Sequence, residues 1–516
     1  MVSEVSQTLP RAATLPPVRD SDHQREWFAF ALPAAMALLL SLVPALGTAA
    51  KIPFLLVLLP LVLWSAFRDT ERAIYVCIAW CWMDGTIRGV LGISPVTIVA
   101  RDIVLGIVVV GWIAQRLQNR YQDPLRCPPG SLLVALFVIN CLLQVFNPYS
   151  LGLVQSIGGL KLHLSPIPLF FVAYDVFRRR GQVRSLFVFL TLASLVIGLV
   201  SLVQYIGGQN WTWAHFPGTK EAISQSMHVT EVGNTVGEAG LFKPPGTTAF
   251  GGGTSAYVSV AFPLTFGLLM LPRKHKASHL LQLFLLGVLM AFVVIMLING
   301  LRSSLVSGIA GVVVSGVLIG RHLRGRMLKG IAVCFVLGLV ALTYSQGISQ
   351  GGVTDRFSST FANPVKALHQ DRRTFFDDVA FITVHSPVGV GLGRMLAGSG
   401  RLGSSDHSLD FVVYSESYLG EIMYETGIIG GILISAIAVA FIRRGYLALA
   451  RLYDANDRFL ATAILGALIV LSANFFVTPV LMGPPGSVMF WLLGGLLLRV
   501  FAKPESTSPR VAREAV

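Results

Sequence analysis

The residues of this chain that could carry out chemistry include cationic side chains placed at the ends of apolar runs. Arg302 precedes a helix-forming segment that repeats small residues every four positions: Ser303, Ser307, Gly311 and Ser315. Small residues at this spacing let helix backbones approach closely in lipid, so the start of the segment should be held firmly. A firmly held guanidinium suits a diphosphate, which it can bind through two charge-assisted hydrogen bonds. The alternative is an arginine that snorkels to a membrane interface.

Aromatic residues form a second group of candidates. Trp211 and Trp213 occur in the segment WTWAHFPGTK (211–220), where they could stack on sugar rings. The alternative is that they anchor a helix end in the headgroup layer, which amphipathic rings favour. Lys243 follows in the segment LFKPPGTTAFGGGTSAY (241–257), just ahead of a turn set by proline and glycine.

The elements that must position these residues are membrane helices. Of the 516 residues, 54% are hydrophobic and only 13% are charged, and the mean hydropathy of +0.69 is too high for a soluble chain. Apolar runs long enough to span or nearly span a bilayer predict about fourteen transmembrane helices. Their ranges are 27–46, 52–67, 73–90, 102–117, 130–147, 160–177, 185–206, 255–271, 279–299, 303–320, 330–345, 417–442, 458–476 and 485–501.

Charge sets the predicted orientation of these helices. The net charge of +14 is spread in short basic clusters between apolar runs, which favours membrane orientation over nucleic-acid binding. With both termini in the cytoplasm, every such cluster falls inside: 68–72, 115–126, 178–184, 272–276, 321–329 and 443–446. We therefore expect a multi-pass membrane protein, surrounded by membrane lipid, with both termini in the cytoplasm.

The predicted fold is an all-α polytopic bundle of about 14 transmembrane helices with two long extracytoplasmic loops. Long loops in a compact protein are often functional, so both are candidate site regions. The predicted divisions are a cytoplasmic tail (1–26), helices 1–7 (27–206), the first loop (207–254), helices 8–11 (255–345), the large loop (346–416), helices 12–14 (417–501) and a tail (502–516).

Two acidic residues open the helix after the large loop. Glu421 and Glu425 lie one turn apart, with Tyr418 on the same face. Acids inside a membrane are costly and often functional, although these two could also pair with loop arginines as structural clasps. The five cysteines suggest neither a disulfide framework nor a metal site.

Five segments carry a resemblance to a known superfamily. They are GLKLHLSPIPLFF (159–171), KPPGTTAFGGGTSAY (243–257), GLRSSLVSG (300–308), SPVGVGLG (386–393) and YLGEIMYETGIIGG (418–431). In this order and with this helix layout, the chain resembles O-antigen ligases and Wzy-type polysaccharide polymerases. The resemblance covers about residues 155–480. It implies transfer of a glycan from undecaprenyl diphosphate to an acceptor at the outer face of the inner membrane.

The resemblance also implies a metal-independent and cofactor-free site. Lys243 and Arg302 stand where relatives carry arginines, and Arg356 and Arg372 are the next candidates for binding the diphosphate. Fixed cations would stabilise the negative charge that develops on the departing diphosphate. Expected partners are the lipid-linked glycan, a chain-length regulator and a flippase; nucleic acid is not expected.

One departure from the family pattern favours a polymerase over a ligase. Ligases of this superfamily carry a His-Asn pair before the Tyr-Leu of the last segment, whereas this chain carries Ser415 and Glu416. Glu416 is therefore the predicted catalytic base, with Asp410 and His407 in reserve. The alternative for Glu416 is a glutamate that stabilises the helix N-terminus. Tyr418 joins Trp211 and Trp213 as a candidate for sugar stacking.

Two rival functions stay open. The first is a transporter, either a flippase for the lipid-linked glycan or a small-solute carrier. Transporters place polar or broken helices at the bilayer midplane, so a deep acid paired across the bundle would favour this rival. The second is a non-catalytic assembly subunit, for which the loop arginines would be individually dispensable.

The two long loops give a test of topology. Alkaline phosphatase fused within 207–254 or 346–416 should be active, because we expect both loops outside the cytoplasm, whereas a fusion within 321–329 should be inactive. Phosphatase activity of strains with equal fusion levels measures this. Inactive fusions in the long loops would place them away from an exported donor and rule out the proposed chemistry.

Overall fold

The computed structural model describes residues 21–42, 60, 64, 67–91, 95–118, 127–216, 242, 244–248, 251–271, 278–299, 302–318, 325, 379–394, 417–450, 452, 454–478, 481 and 483–500. Fourteen α-helices are bounded within these residues, and none of the described residues forms a β-strand. The helices are α1 (Ser21–Leu42), α2 (Thr70–Trp82), α3 (Asp84–Leu91), α4 (Pro95–Leu117), α5 (Ser131–Val145), α6 (Leu153–Leu164), α7 (Pro168–Val176), α8 (Arg180–His215), α9 (Gly251–Met270), α10 (Ser278–Ile298), α11 (Arg302–Leu318), α12 (Tyr418–Leu449), α13 (Ala455–Ala473) and α14 (Pro484–Val500).

Six segments of the described chain are long and apolar enough to cross a membrane. They are Leu153–Val176, Arg180–His215, Gly253–Met270, His279–Ile298, Tyr418–Leu449 and Ala455–Phe476. A hydrocarbon core of roughly 30 Å requires about 20 such residues. The chain is therefore an all-α membrane protein, as predicted. The predicted spans at 52–67 and 330–345 fall almost wholly outside the described residues.

Helix α9 has a central position in the bundle. It packs against α8, α10, α11 and α13. Its apolar side chains contribute to two hydrophobic clusters: Tyr257 and Leu264 belong to one, and Phe262 and Phe266 to the other. A helix that is apolar around its whole circumference is buried in this way.

The small-residue stripe of α11 packs closely against α13, as predicted. A methyl group added at Gly311 would lie 2.6 Å from Val470 Cγ2 and 3.0 Å from the carbonyl oxygen of Gly466. The Ser315 hydroxyl donates to the Thr462 carbonyl across the same contact at 2.9 Å. Small residues thus bring the two backbones together without a layer of side chains.

Three predicted spans are broken where the sequence analysis expected continuous helices. The span 73–90 is interrupted at Met83, between α2 and α3. The span 160–177 divides into α6 and α7 around Pro166 and Pro168, which lack the N–H that continues a helix. The third break, in α12, lies at Gly427, whose φ of 76° and ψ of 177° are not helical.

Helix α8 is longer than predicted. It continues to His215 with a break at Gly208 (φ 77°), so Trp211 and Trp213 are helical residues. The sequence analysis placed both in the first long loop. Apolar side chains and a glycine that tolerates positive φ let the helix run past the predicted boundary at 206.

Charged groups collect at two ends of the bundle. At one end, which we call the Asp175 end, Arg116 and Arg178 pair with Asp175. At the other, which we call the Glu425 end, His163 contacts Glu425. Helix direction separates the two ends, because α4 begins beside the Glu425 end and its last turn contains Arg116.

The α11–α13 contact predicts that two glycine substitutions differ in their effect on stability. Gly311→Ala should lower stability by about 1–3 kcal/mol, because the methyl group meets a backbone carbonyl that cannot move away. Gly287→Ala is the matched control, since a methyl group there has nothing within 4 Å. Thermal unfolding of the protein purified in detergent compares the two. Equal melting temperatures would contradict this account of the contact.

Candidate functional site

The glycine-rich turn 386–393 docks onto the break in α12. The Val390 N–H donates to the Tyr424 carbonyl at 2.9 Å, and the Gly391 N–H donates to the Glu425 carbonyl at 3.1 Å. In return, the Ile428 N–H donates to the Pro387 carbonyl at 3.0 Å. The turn therefore supplies the hydrogen bonds that the broken helix cannot make internally.

Glycines are required in this turn by conformation and by space. Gly389, Gly391 and Gly393 have φ values of 92°, 89° and 81°, which L side chains rarely adopt. A methyl group at Gly389 would also lie 2.5 Å from the Gly427 nitrogen. The alternating glycines of SPVGVGLG are thus explained by the close approach of the turn to α12.

Side-chain amides of α5 and the residue just after it hold the same turn from the other side. Gln144 Nε2 donates to the Val388 carbonyl at 2.7 Å. Asn147 Nδ2 donates to the Gly389 carbonyl at 3.0 Å. These contacts join segments more than 240 residues apart, and they fix the turn between α5 and α12.

A buried histidine and glutamate meet beside this turn. His163 Nε2, on α6, lies 2.9 Å from Glu425 Oε2, and the side chains are 0% and 1% exposed. The other carboxylate oxygen, Oε1, accepts from the Gly393 N–H at 3.1 Å. Glu421 lies one turn earlier on α12 and is also buried. Within the described residues, no group of three or more His, Cys, Asp or Glu could hold a metal ion.

A cluster of three cations and two carboxylates lies at the same end. Arg88 pairs with Asp84 at 2.5 Å, and Lys161 pairs with Asp102 at 2.6 Å. Arg101 lies 3.3 Å from Asp102 and interacts electrostatically with Asp84. We call these five residues the cation cluster. Lys161 lies two residues before His163 on the same helix, so the cluster and the buried pair are at the same end of the bundle.

The Pro244–Thr248 turn packs against residues that adjoin the cation cluster. Thr247 Oγ1 donates to the Trp82 carbonyl at 2.6 Å, and the Thr86 N–H donates to the Thr247 carbonyl at 3.2 Å. Gln204 Nε2 donates to the Gly246 carbonyl at 2.9 Å. The turn therefore packs where α2 passes into α3, next to Asp84.

A short chain of hydrogen bonds connects this turn to the start of α11. Asn299 Nδ2 donates to Ser201 Oγ at 3.2 Å, and the Ser201 hydroxyl donates to the Pro244 carbonyl at 3.5 Å. Lys243 precedes Pro244 in sequence, and Arg302 follows Asn299 by three residues. The Pro244–Thr248 turn and the end of α10 thus lie together at the Glu425 end.

Most of the predicted site residues lie outside the described part of the chain. Arg302 is the first residue of α11, but its side chain is not among those described. Six predicted residues fall outside the described residues altogether: Lys243, Arg356, Arg372, His407, Asp410 and Glu416. Their roles stay predictions.

The three aromatic candidates are described. The Trp211 ring stacks on His215 with centroids 4.3 Å apart, and Trp213 is half-buried two residues on. Tyr418 is 2% exposed and packs against His163 and Phe475 with ring centroids 6.2 and 5.4 Å apart. The Tyr418 ring is covered by protein in this conformation. Stacking on a sugar would require the side chains at the Glu425 end to move apart.

Sequence reasoning missed several residues of this end. Arg88 and Arg101 were not singled out, and Lys161 and His163 entered only as part of the segment 159–171. A signal was present, because titratable side chains within apolar runs are costly and often functional. The sequence pattern does not reveal which of these side chains contact one another in the folded bundle.

The depth of the site can be estimated from helix geometry. At 1.5 Å rise per residue, Glu425 lies about 27 Å from Arg443 along α12, and Asp102 lies about 21 Å from Arg116 along α4. The hydrocarbon core is roughly 30 Å thick. With Arg443 and Arg116 at one boundary, the Glu425 end lies towards the opposite boundary rather than at the midplane.

Comparisons with known proteins add no family to this geometry. No family model matches the chain, and no curated protein matches it. The resemblance to O-antigen ligases and Wzy-type polymerases therefore stays a prediction from the motifs.

The cation cluster predicts a large stability effect for one substitution. Asp84→Asn should lower the free energy of unfolding by about 3–5 kcal/mol, because it leaves the buried Arg88 guanidinium without its anion. Asp454→Asn is the control: it loses only an exposed pair with Arg180, about 0–1 kcal/mol, and asparagine still caps α13. Chemical unfolding in detergent measures both. Similar losses would mean that the Asp84 pair is not buried as described.

Proposed function

We propose that this chain is a membrane glycosyltransferase that polymerises undecaprenyl-diphosphate-linked oligosaccharide units into exopolysaccharide, capsule or O-antigen. In this proposal the protein spans the bacterial inner membrane about fourteen times with both termini in the cytoplasm. The Glu425 end faces the periplasm, where the exported donor is presented.

The observation that carries the proposal is the convergence of polar motifs at one end of an apolar bundle. The turn 386–393, the start of α12, the end of α6 and the Pro244–Thr248 turn all meet there. They adjoin a partly buried cluster in which Arg88, Arg101 and Lys161 share two carboxylates. Such an arrangement supports binding of an anion at the membrane boundary, which is where a lipid diphosphate lies.

The chemistry that this end would perform is glycosyl transfer. An acceptor hydroxyl attacks the anomeric carbon of the donor sugar, and the bond to the diphosphate breaks with its electron pair going to the diphosphate. Fixed cations lower the energy of that developing charge, so a metal ion is not needed. Lys161 and Arg101 from the cation cluster add to Lys243, Arg302, Arg356 and Arg372 in this role.

The acceptor distinguishes polymerase from ligase. A polymerase joins the glycan to another lipid-linked unit, and a ligase joins it to a lipid A core. The absence of the His-Asn pair at 415–416 favours the polymerase. In the same proposal, a chain-length regulator and a flippase are the expected partners.

One observation favours a transporter as the second candidate. His163 and Glu425 form a buried pair across the bundle, between helices that break near Pro166 and at Gly427. Broken helices and paired acids line the sites of many secondary transporters. Those sites lie at the bilayer midplane, whereas helix geometry puts this pair near one boundary, so the enzyme is preferred.

Reconstitution tests the two candidates together. Proteoliposomes given a polyprenyl-diphosphate-linked oligosaccharide should form products of two or more units, resolved by size. Lys161→Met and Arg302→Ala should each slow polymerisation by about 10²–10³-fold, because each removes a charge that stabilises the leaving diphosphate. Arg302→Lys should be intermediate, because lysine keeps the charge but loses the bidentate contact.

Arg443→Gln is the control for the general loss of a surface cation, since this exposed residue lies towards the opposite end of α12. It should leave the rate unchanged. Full activity in both Lys161→Met and Arg302→Ala would show that these two cations do not stabilise the leaving diphosphate. Movement of intact glycolipid without any coupling of units would establish the transporter instead.

A further inference from the structure

We infer that His163, oriented by Glu425, is the base that accepts the proton of the attacking sugar hydroxyl. This inference rests on the proposed glycosyl transfer and deepens it. It gives to His163 the role that the sequence pattern had assigned to Glu416. The resulting dyad links α6 to the start of α12.

The geometry of the pair resembles that of carboxylate–histidine dyads in general. Glu425 Oε2 lies 2.9 Å from His163 Nε2, within hydrogen-bond distance. Glu425 itself is fixed, because its Oε1 accepts from the Gly393 N–H. An ionised carboxylate accepts a hydrogen bond from Nε2–H, so it selects the tautomer in which Nδ1 carries a lone pair. A third group that orients the base in this way is the common logic of nucleophile activation.

The second observation concerns the other ring nitrogen. His163 Nδ1 is buried and has no hydrogen-bond partner. Buried polar atoms are satisfied in nearly all proteins, so an unpaired ring nitrogen calls for an explanation. A substrate hydroxyl that reaches Nδ1 when this end of the bundle opens, as sugar stacking on Tyr418 also requires, would pair this nitrogen.

The proton balance of the step is complete. His163 Nδ1 takes the proton of the acceptor hydroxyl while its oxygen forms a bond to the anomeric carbon. The bond between that carbon and the diphosphate oxygen breaks, and its electron pair leaves with the undecaprenyl diphosphate. The resulting imidazolium is paired with Glu425, which stabilises it until the proton passes to the departing phosphate or to water.

A purely structural role is the competing explanation. Glu425 could serve only to clasp the turn 386–393 to α6, with His163 as a hydrogen-bond donor. The two explanations differ in one atom, because the clasp needs only Nε2–H whereas catalysis also needs the lone pair of Nδ1. A substitution that keeps the first and removes the second separates them.

His163→Gln is that substitution, since the glutamine amide can donate to Glu425 in place of Nε2–H but has no basic nitrogen. We expect normal membrane levels, an unchanged melting temperature and a polymerisation rate lowered by about 10²–10⁴-fold. His215→Gln is the matched control, a half-buried histidine at the end of α8, and should retain full activity.

The pH profile gives an independent readout. The wild-type rate should fall on the acid side of its pH profile, because a protonated imidazole cannot accept a proton. The residual activity of His163→Gln should lack this acid limb. The other titratable and charged groups around the pair are Glu421 and Tyr418 on α12, Cys141 on α5, Lys161 on α6 and Arg394 after the turn.

Each outcome decides something. A fully active and stable His163→Gln overturns the inference and leaves Glu425 as a clasp. If His163→Gln accumulates poorly, the wild-type profile decides, and a profile without an acid limb overturns the inference. Failure of the proposed function looks different, because the wild-type protein would then couple no lipid-linked units at any pH.

Discussion

The structure depends on hydrogen-bond partners for one buried carboxylate, that of Glu425. Glu425 contacts His163 with one oxygen and the backbone of Gly393 with the other, so a single side chain joins α6, the turn 386–393 and α12. A charge or polar group that is left unpaired in an apolar interior costs several kcal/mol. Each of the three segments is therefore held where the others require it, although they are distant in sequence.

The same constraint explains why irregular backbone is tolerated inside an apolar bundle. A break in a membrane helix exposes carbonyl and amide groups that lipid cannot satisfy. At Gly427 the turn 386–393 makes these hydrogen bonds, and Gln144 and Asn147 satisfy the carbonyls of the turn itself. The turn in turn requires glycine, because its backbone adopts positive φ in contact with α12. The backbone conformation, the close packing and the hydrogen bonds therefore all favour the same arrangement of the turn 386–393 at Gly427.

The two ends of the bundle use charge in different ways. At the Asp175 end, arginines converge on one carboxylate and the Trp112 indole N–H donates to it as well, an arrangement that anchors helix ends. At the Glu425 end, Asp84 and Asp102 pair with cations, while Glu425 contacts His163, whose other ring nitrogen is unpaired. One end therefore anchors helices, and the other holds the groups that the proposed chemistry uses.

The sequence by itself determined the all-α membrane class, most helix positions and the close packing of α11. Apolar periods and lengths carry that information locally, so that the predicted span 279–299 and the observed Ser278–Ile298 differ by one residue at each end. Only the tertiary structure decided that His163 meets Glu425 and that Arg101 lies beside Asp84. Hydrophobic patterns do not say which helices are neighbours, and the breaks in α6–α7 and α12 depend on partners that are far away in the chain. The chemistry of the site is a property of those distant contacts.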